Sequence, residues 1–319
     1  MSRAFIFPGQ GSQFVGMGKD LAESFVEARE VFQEVDDALS QKLSTIMFEG
    51  SDTDLNLTEN TQPALMAMSL AVAKILRKQG GIKFENVCSF MAGHSLGEYS
   101  ALTCAGALEL ATTAKLLKKR GKAMQKAVPV GVGAMAAILG LDLPDVMEVT
   151  KKATSNGNKE IVCQAANDNS LGQVVVSGHA AAVQLAVDYA TQAGAKKAVM
   201  LPVSAPFHCS LMAPAAQEMA YALADTNIRP PFVPVVSNVT AKGVTEPADI
   251  RRLLVDQITG MVRWRESVQW MKEQGVTEMV ELGAGKVLSG LVKRIDKEIA
   301  CDSVGTPEGI EALITKLQA

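Results

Sequence analysis

Val87-Cys-Ser-Phe-Met-Ala92 runs straight into Gly93-His94-Ser95-Leu96-Gly97, and the reading of that junction decides the fold. The first stretch reads as a short buried strand, and the residues after Gly97 continue as a helix. A G-x-S-x-G element between strand and helix is the pattern of a nucleophile elbow, a sharp turn that lifts a serine Oγ clear of the sheet. The two glycines let the backbone reverse and leave room around Ser95. The amide of Leu96, first in the new helix, then points at any oxyanion that develops there. A plain turn with Ser95 capping its helix is the competing reading, and the flanking strand and helix weigh against it.

Working outward, residues 3–7 read as a second buried strand, closed by Pro8-Gly9-Gln10-Gly11-Ser12. Helical patterns cover about 19–39, 61–79 and 107–126, the second with Thr61 as a cap and Pro63 in its first turn. Beyond about 130 come a strand (134–139), a helix (143–155), two strands (161–166 and 174–177) joined across 167–172, a helix (179–193) and a strand (198–203). This β-α-β-β-α-β order is ferredoxin-like. A helix (209–224), a strand (233–237), helices (247–256 and 264–274) and a strand (278–281) then return to the alternation of the N-terminal region. The expected architecture is α/β, with a large domain from 1–128 and 204–319 and a small domain, 129–203, inserted into it.

Composition bounds the function. The chain has 319 residues, 48% hydrophobic and 20% charged, so it has the material for a packed core and is not disordered. With 31 basic and 34 acidic residues its net charge is −3, which gives no case for nucleic acid. The five cysteines are scattered without CxxC spacing, against a disulfide framework or a zinc site. The longest uncharged apolar stretch, 127–141, is broken by Pro129, Gly131, Gly133 and Gly140, so no membrane span is expected. The first residues lack the features of a signal peptide, and a soluble, cytoplasmic protein is expected. Three Gly-rich turns resemble nucleotide loops only loosely: Gly9-Gln-Gly11 has Phe14 in place of the third glycine, Gly131-Val-Gly133 precedes a strand, and Gly283-Ala-Gly285-Lys286 lacks the hydroxyl after its lysine.

A serine nucleophile needs a base, and the chain offers three histidines. His94 adjoins Ser95 and should point away from it, making it a pocket wall. His179 falls at a helix start in the small domain and reads as a cap or surface residue. His208, in Pro206-Phe207-His208, sits where the small domain returns to the large one, the kind of junction where clefts form. By elimination His208 is the base. Cys209 beside it is a rival thiol nucleophile, though a helical setting favours a buried structural role. No acid stands out as a third member. Its loss costs about 10⁴-fold in a peptidase triad, but a thioester has a better leaving group, with a thiol pKa of about 8.5. A backbone carbonyl holding the imidazole would then suffice.

Arg120 is the most informative charge. On the helix 107–126, Lys115, Lys118, Lys119, Lys122 and Lys126 share one face, while Arg120 lies about 60° from the centre of the opposite, apolar face. An inward arginine needs a carboxylate, either an internal Asp or Glu or one on a ligand.

Taken together, Phe7-Pro-Gly-Gln-Gly-Ser-Gln13, Gly93-His-Ser-Leu-Gly-Glu98, Arg120, Pro206-Phe-His208 and Glu281-Leu-Gly-Ala-Gly285 closely resemble the malonyl-CoA:acyl carrier protein transacylases of bacterial fatty acid synthesis, and more distantly the acyltransferase domains of polyketide and animal fatty acid synthases. The resemblance runs from residue 4 to about 295 in the same order. It implies an α/β-hydrolase-like large domain with an inserted ferredoxin-like (βαββαβ) small domain. It also implies that Ser95 carries malonyl as an ester, with His208 as base and then acid. Gln10 and Leu96 would supply the oxyanion-hole amides, Arg120 would hold the malonyl carboxylate, and Gln257 would lie at the site and help to hold His208. Phe207 would narrow the acyl pocket, a feature that in relatives tends to accompany malonyl. The implied partners are malonyl-CoA and acyl carrier protein, with no cofactor and no metal, and a monomer is expected. Lysines 115–126, Lys286, Lys293 and Arg294 are candidates for carrier docking. The rival readings are a serine hydrolase or thioesterase on the same Ser–His pair, and an inactive carrier-binding scaffold.

Overall fold

Pairing segments of this chain are short, and their apolar residues decide which faces they bury. In β1 (Ser2–Phe7) the last four residues are all buried, as a strand covered on both faces requires. The other strands are β2 (Phe90–Gly93), β3 (Gly133–Leu139), β4 (Cys163–Ser170), β5 (Gln173–His179), β6 (Lys197–Met200), β7 (Val235–Val236), β8 (Gly243–Val244), β9 (Val276–Leu282) and β10 (Ala300–Val304). The computed structural model from which these are taken describes residues 2–154, 161–203 and 205–319.

Among the described residues the strands form two sheets. The first has six strands in the order β10-β9-β1-β2-β7-β8, parallel except for the β7–β8 pair. Its helices include Thr58–Lys78, which is buried along most of its length, as a core helix should be. The second sheet has the order β4-β5-β3-β6 and is antiparallel throughout. Alternation gives each strand two faces. Ala136 and Ile138 of β3 pack with Val146, Val176 and Val183 under the helices Leu143–Thr154 and Ala180–Gln192. Met135 and Ala137, one residue off, line a pocket against the first sheet's helices.

The two sheets are stitched together beside that pocket. Asn167 forms a parallel bridge with Val262, the Asp168 amide donates to Val262 O at 2.9 Å, and the Val262 amide donates to Ala166 O at 2.8 Å. Asp168, 1% exposed, also pairs with Arg265 at 2.8 Å.

Several boundaries differ from the sequence reading. The helix expected over 19–39 is two, Lys19–Ser24 and Val26–Leu39, separated by an extended Phe25. The helix expected to begin at 61 begins at Thr58, with Pro63 inside it; Thr61 is no cap, because its Oγ1 donates to Leu55 O at 2.6 Å. Strands β4 and β5 extend into 167–172, leaving only Leu171 and Gly172 in the turn, where Gly172 takes a φ of 65°. The segment 87–92 divides into a short helix, Phe84–Val87, and β2. The strand expected over 198–203 is the shorter β6, and the helix expected over 209–224 opens with a single 3₁₀ turn, Ser210–Met212, before Ala213–Ala224. Residue 155, the expected end of one helix, lies outside the described residues. No helix among the described residues is long and apolar enough to cross a membrane.

Candidate active site

The elbow is built by steric necessity. A Cβ on Gly93 would fall 1.9 Å from the Gly97 carbonyl carbon, and one on Gly97 would fall 2.2 Å from Phe7 O at the end of β1. Only glycine fits either position. Between them Ser95 has a φ of 54°, left-handed and unfavourable for a residue with a side chain. Asn238 holds this turn from the loop after β7: its Oδ1 accepts the Ser95 amide at 2.7 Å and its Nδ2 donates to Gly93 O at 2.7 Å.

His208 also has a left-handed φ, 58°, so both halves of the Ser–His pair sit on strained backbone. Its Nε2 is 2.8 Å from Ser95 Oγ, and its Nδ1 is 2.9 Å from the backbone oxygen of Gln257. That carbonyl is an acceptor only, so Nδ1 carries the hydrogen and Nε2 is left free to accept from serine. Burial, followed by the charge of Arg120, pushes His208 down to about 3, which keeps it neutral at physiological pH. A carbonyl thus takes the place of the missing acid.

Arg120 is 1% exposed and has no carboxylate within ion-pair distance among the described residues. Its Nη1 donates to Gln62 Oε1 at 2.7 Å; its Nη2 donates to Gln257 Oε1 at 2.9 Å and to Ser95 Oγ at 3.1 Å. Its Nε is buried with no hydrogen-bond partner, and its guanidinium carbon lies 5.8 Å from the centre of the Tyr99 ring. Among the described residues an internal ion pair, one of the two readings of this residue, is therefore not formed. What remains is a buried cation beside the nucleophile whose charge awaits an anion.

A cavity of about 270 Å³ opens over this group, lined by Gln10, Leu96, Phe207 and His94 as well as by Ser95, Arg120 and His208. Among the described residues the backbone amides of Gln10 and Leu96 donate no hydrogen bond, so both are available to a ligand oxygen. His94 lines the same cavity, with Nε2 2.8 Å from Asn169 Oδ1 on β4, and burial lowers its pKa. Cys209 donates to Pro206 O at 3.2 Å, and its buried thiol is pushed up, away from the thiolate. His179 stands at the N-cap position of the helix Ala180–Gln192, but its side chain makes no capping hydrogen bond; its Nδ1 instead accepts the Val162 amide at 3.0 Å. Nor is the lysine face wholly solvated, since Lys118 donates to Gln41, Glu59 and Asn60. No group of three His, Cys, Asp or Glu side chains among the described residues is arranged as metal ligands.

Two residues of the site, Gln62 and Asn238, escaped the sequence reading, and a third, Glu98, entered it only as the end of the Gly93–Glu98 motif, with no role. Gln62 lies next to Pro63 in a segment read only as a helix start. Asn238 sits in an unpatterned loop. Glu98, directly after the elbow, is 2% exposed, and burial pushes it up to about 7.

The chain is similar to known proteins along nearly its whole length. The acyl transferase domain model matches residues 4–306. The malonyl CoA-acyl carrier protein transacylase of Bacillus subtilis is 48% identical over 315 residues, spanning 99% of this chain and 97% of the relative. The crystal structure of acyl-carrier-protein-S-malonyltransferase from Bartonella henselae is 54% identical, with a TM-score of 0.96 and full coverage of both chains. A malonyl-transacylase in complex with its holo acyl-carrier protein, from a type II polyketide system, is 41% identical at a TM-score of 0.94, covering 99% of this chain and 100% of that one. With Ser95, His208 and an unpaired Arg120 gathered in one pocket, the chain belongs to the acyl transferase domain family, among the malonyl-CoA:acyl carrier protein transacylases.

Proposed function

We propose that the chain moves the malonyl group from malonyl-CoA to the phosphopantetheine thiol of acyl carrier protein through an ester on Ser95. The observation that carries this reading is the buried Arg120, which has no carboxylate within ion-pair distance among the described residues and lies 3.1 Å from the Ser95 Oγ. A malonyl group bound to Ser95 brings its own carboxylate to that guanidinium, which can grip it with two parallel hydrogen bonds.

In the first half-reaction Ser95 Oγ attacks the thioester carbonyl as its proton passes to His208 Nε2. The carbonyl oxygen becomes an oxyanion, received by the amides of Gln10 and Leu96. As the C–S bond breaks, His208 returns the proton to the departing CoA sulfur. The second half-reaction reverses the roles: the carrier's thiol gives its proton to His208 and attacks the ester, and Ser95 Oγ leaves with that proton. One thioester and one ester exchange, so the balance requires no metal, redox group or nucleotide hydrolysis. Arrival of the malonyl carboxylate offsets the Arg120 charge that holds His208 down, which makes the imidazole a better base only when the right substrate is bound. His94 and Phe207 act as walls. By the same reading the six-stranded unit is α/β-hydrolase-like (1–128 and 204–319) and the inserted unit (129–203) is ferredoxin-like, supported by the order β4-β5-β3-β6.

Malonyl and acetyl transfer to carrier protein, measured side by side for the parent and Arg120→Ala, test the assignment. Malonyl transfer should fall by about 10²–10³-fold while acetyl transfer holds or rises, because acetyl leaves the arginine buried without an anion. Equal loss of both would reject Arg120 as the carboxylate's partner.

A further inference from the structure

Glu98 takes part in no step above, yet it is buried one residue past the elbow. Its Oε2 accepts two hydrogen bonds, from the Asn238 amide at 3.0 Å and from Gln257 Nε2 at 2.7 Å. Gln257 is fully buried, and the two ends of its side-chain amide are opposite in character. The oxygen accepts from Arg120 Nη2 at 2.9 Å, whereas the NH₂ group faces Glu98, the Ser95 carbonyl at 3.0 Å and Asn238 Oδ1 at 3.4 Å. Reversal of that amide would set oxygen against a carboxylate and NH₂ against a guanidinium. The Glu98 oxygen is the shortest of the three contacts to the NH₂ group, and because it takes hydrogen bonds from both the Asn238 amide and Gln257 Nε2 it serves here as an acceptor.

We propose that Glu98 is a positioning residue for malonyl selectivity: by fixing which end of Gln257 faces Arg120, it aims the guanidinium at the acyl pocket. The inference rests on the reading that Arg120 receives the malonyl carboxylate. An amide free to turn would contribute a donor where Arg120 needs an acceptor, and the guanidinium would lose one of the two amide oxygens that orient it. Acetyl transfer does not use the guanidinium and should be spared. A merely structural role for Glu98 would lower both reactions together, because both use the same Ser95 and His208.

The test is the ratio of malonyl to acetyl transfer, read on one preparation of each variant so that the folded fraction cancels. Glu98→Met keeps the volume and removes the acceptor, and should lower the ratio about tenfold, the size of one hydrogen bond to a charged group. Glu98→Gln retains an acceptor oxygen and should keep the ratio within about threefold of the parent, by the same hydrogen-bond argument. If Glu98→Met is insoluble, Gln257→Met breaks the contact from the other side, preserves the backbone carbonyl under His208, and should lower the ratio likewise. A Met variant with the parent's ratio, alongside a collapsed ratio in Arg120→Ala, overturns the role of Glu98. So does a loss in Glu98→Gln as large as in Glu98→Met. An unchanged ratio in Arg120→Ala would instead overturn the reading of Arg120, and this inference with it.

Discussion

The pocket has two unlike walls. One belongs to the six-stranded sheet and its helices, and there Ser95, Arg120, Gln257, Glu98 and Asn238 are joined by hydrogen bonds of 2.7–3.1 Å. The other belongs to the four-stranded sheet, which offers Met135, Ala137 and Val175, with Asn169 as a polar contact reaching across to His94. The first wall pays in strain and buried charge for a fixed constellation. The second shapes the pocket with side chains that carry no charge. His208 stands at the junction between them, with its proton relay anchored to the first wall through the Gln257 carbonyl. Changes should therefore be severe on the first wall and mild on the second.

The largest effect outside the nucleophile should come from His208→Gln, which fills the space but cannot shuttle a proton. Malonyl transfer should fall by about 10³-fold or more, and a loss below tenfold would place the base elsewhere. The intact histidine can be watched directly by NMR. Held down to about 3 against an ordinary 6.5, its ring should stay neutral through the range where free histidine titrates, and Arg120→Ala should move its midpoint upward. Because its value in the folded protein lies below that in the unfolded chain, His208 contributes stability above about 6.5 that is lost as pH falls. A midpoint near 6.5 would contradict the burial and charge invoked here.

An intermediate effect is expected for Asn238→Leu, which strips the Ser95 amide and Gly93 carbonyl of their partners. Each stranded group costs about 1–3 kcal/mol, so the melting temperature should drop and the turnover of the remaining folded enzyme should fall about tenfold. Unchanged turnover would show that the elbow holds itself. Asn169→Ala, on the second wall, should do least: with one neutral hydrogen bond to His94 gone, transfer should change by less than about threefold. A loss as large as that of Asn238→Leu would erase the distinction between the walls.

The same contrast explains what was legible in the sequence. The elbow could be read because its glycines are demanded by sterics: a Cβ on Gly93 or Gly97 would fall 1.9 or 2.2 Å from a backbone atom, which no other residue tolerates. His208 and Arg120 could be read because histidine is scarce and an inward arginine breaks a helix's apolar face. Glu98, Asn238 and Gln62 could not, since their roles come from chain segments far apart in sequence meeting at one point. Asn238 reaches Ser95 across 143 positions and Gln257 reaches Glu98 across 159. The order of the small sheet was legible from alternation, yet its strand ends were not, because Asn167, Asp168 and Asn169 read as a turn. They are strand residues here, held by pairing with β5 and by the bridge to Val262. The C-terminal helices Val287–Ile295 and Pro307–Gln318 with β10 between them were not assigned at all, lying beyond the last motif.

The central claim is that Ser95 carries the malonyl group between its two thiol partners. Its most direct test is the intact mass of the enzyme after brief exposure to malonyl-CoA without carrier protein, followed by addition of the holo carrier. The account predicts one malonyl adduct, mapped to Ser95, absent from Ser95→Ala, and passed to the carrier on its addition. An adduct that persists in Ser95→Ala, or one released as free malonate at the same rate with and without carrier, would contradict it.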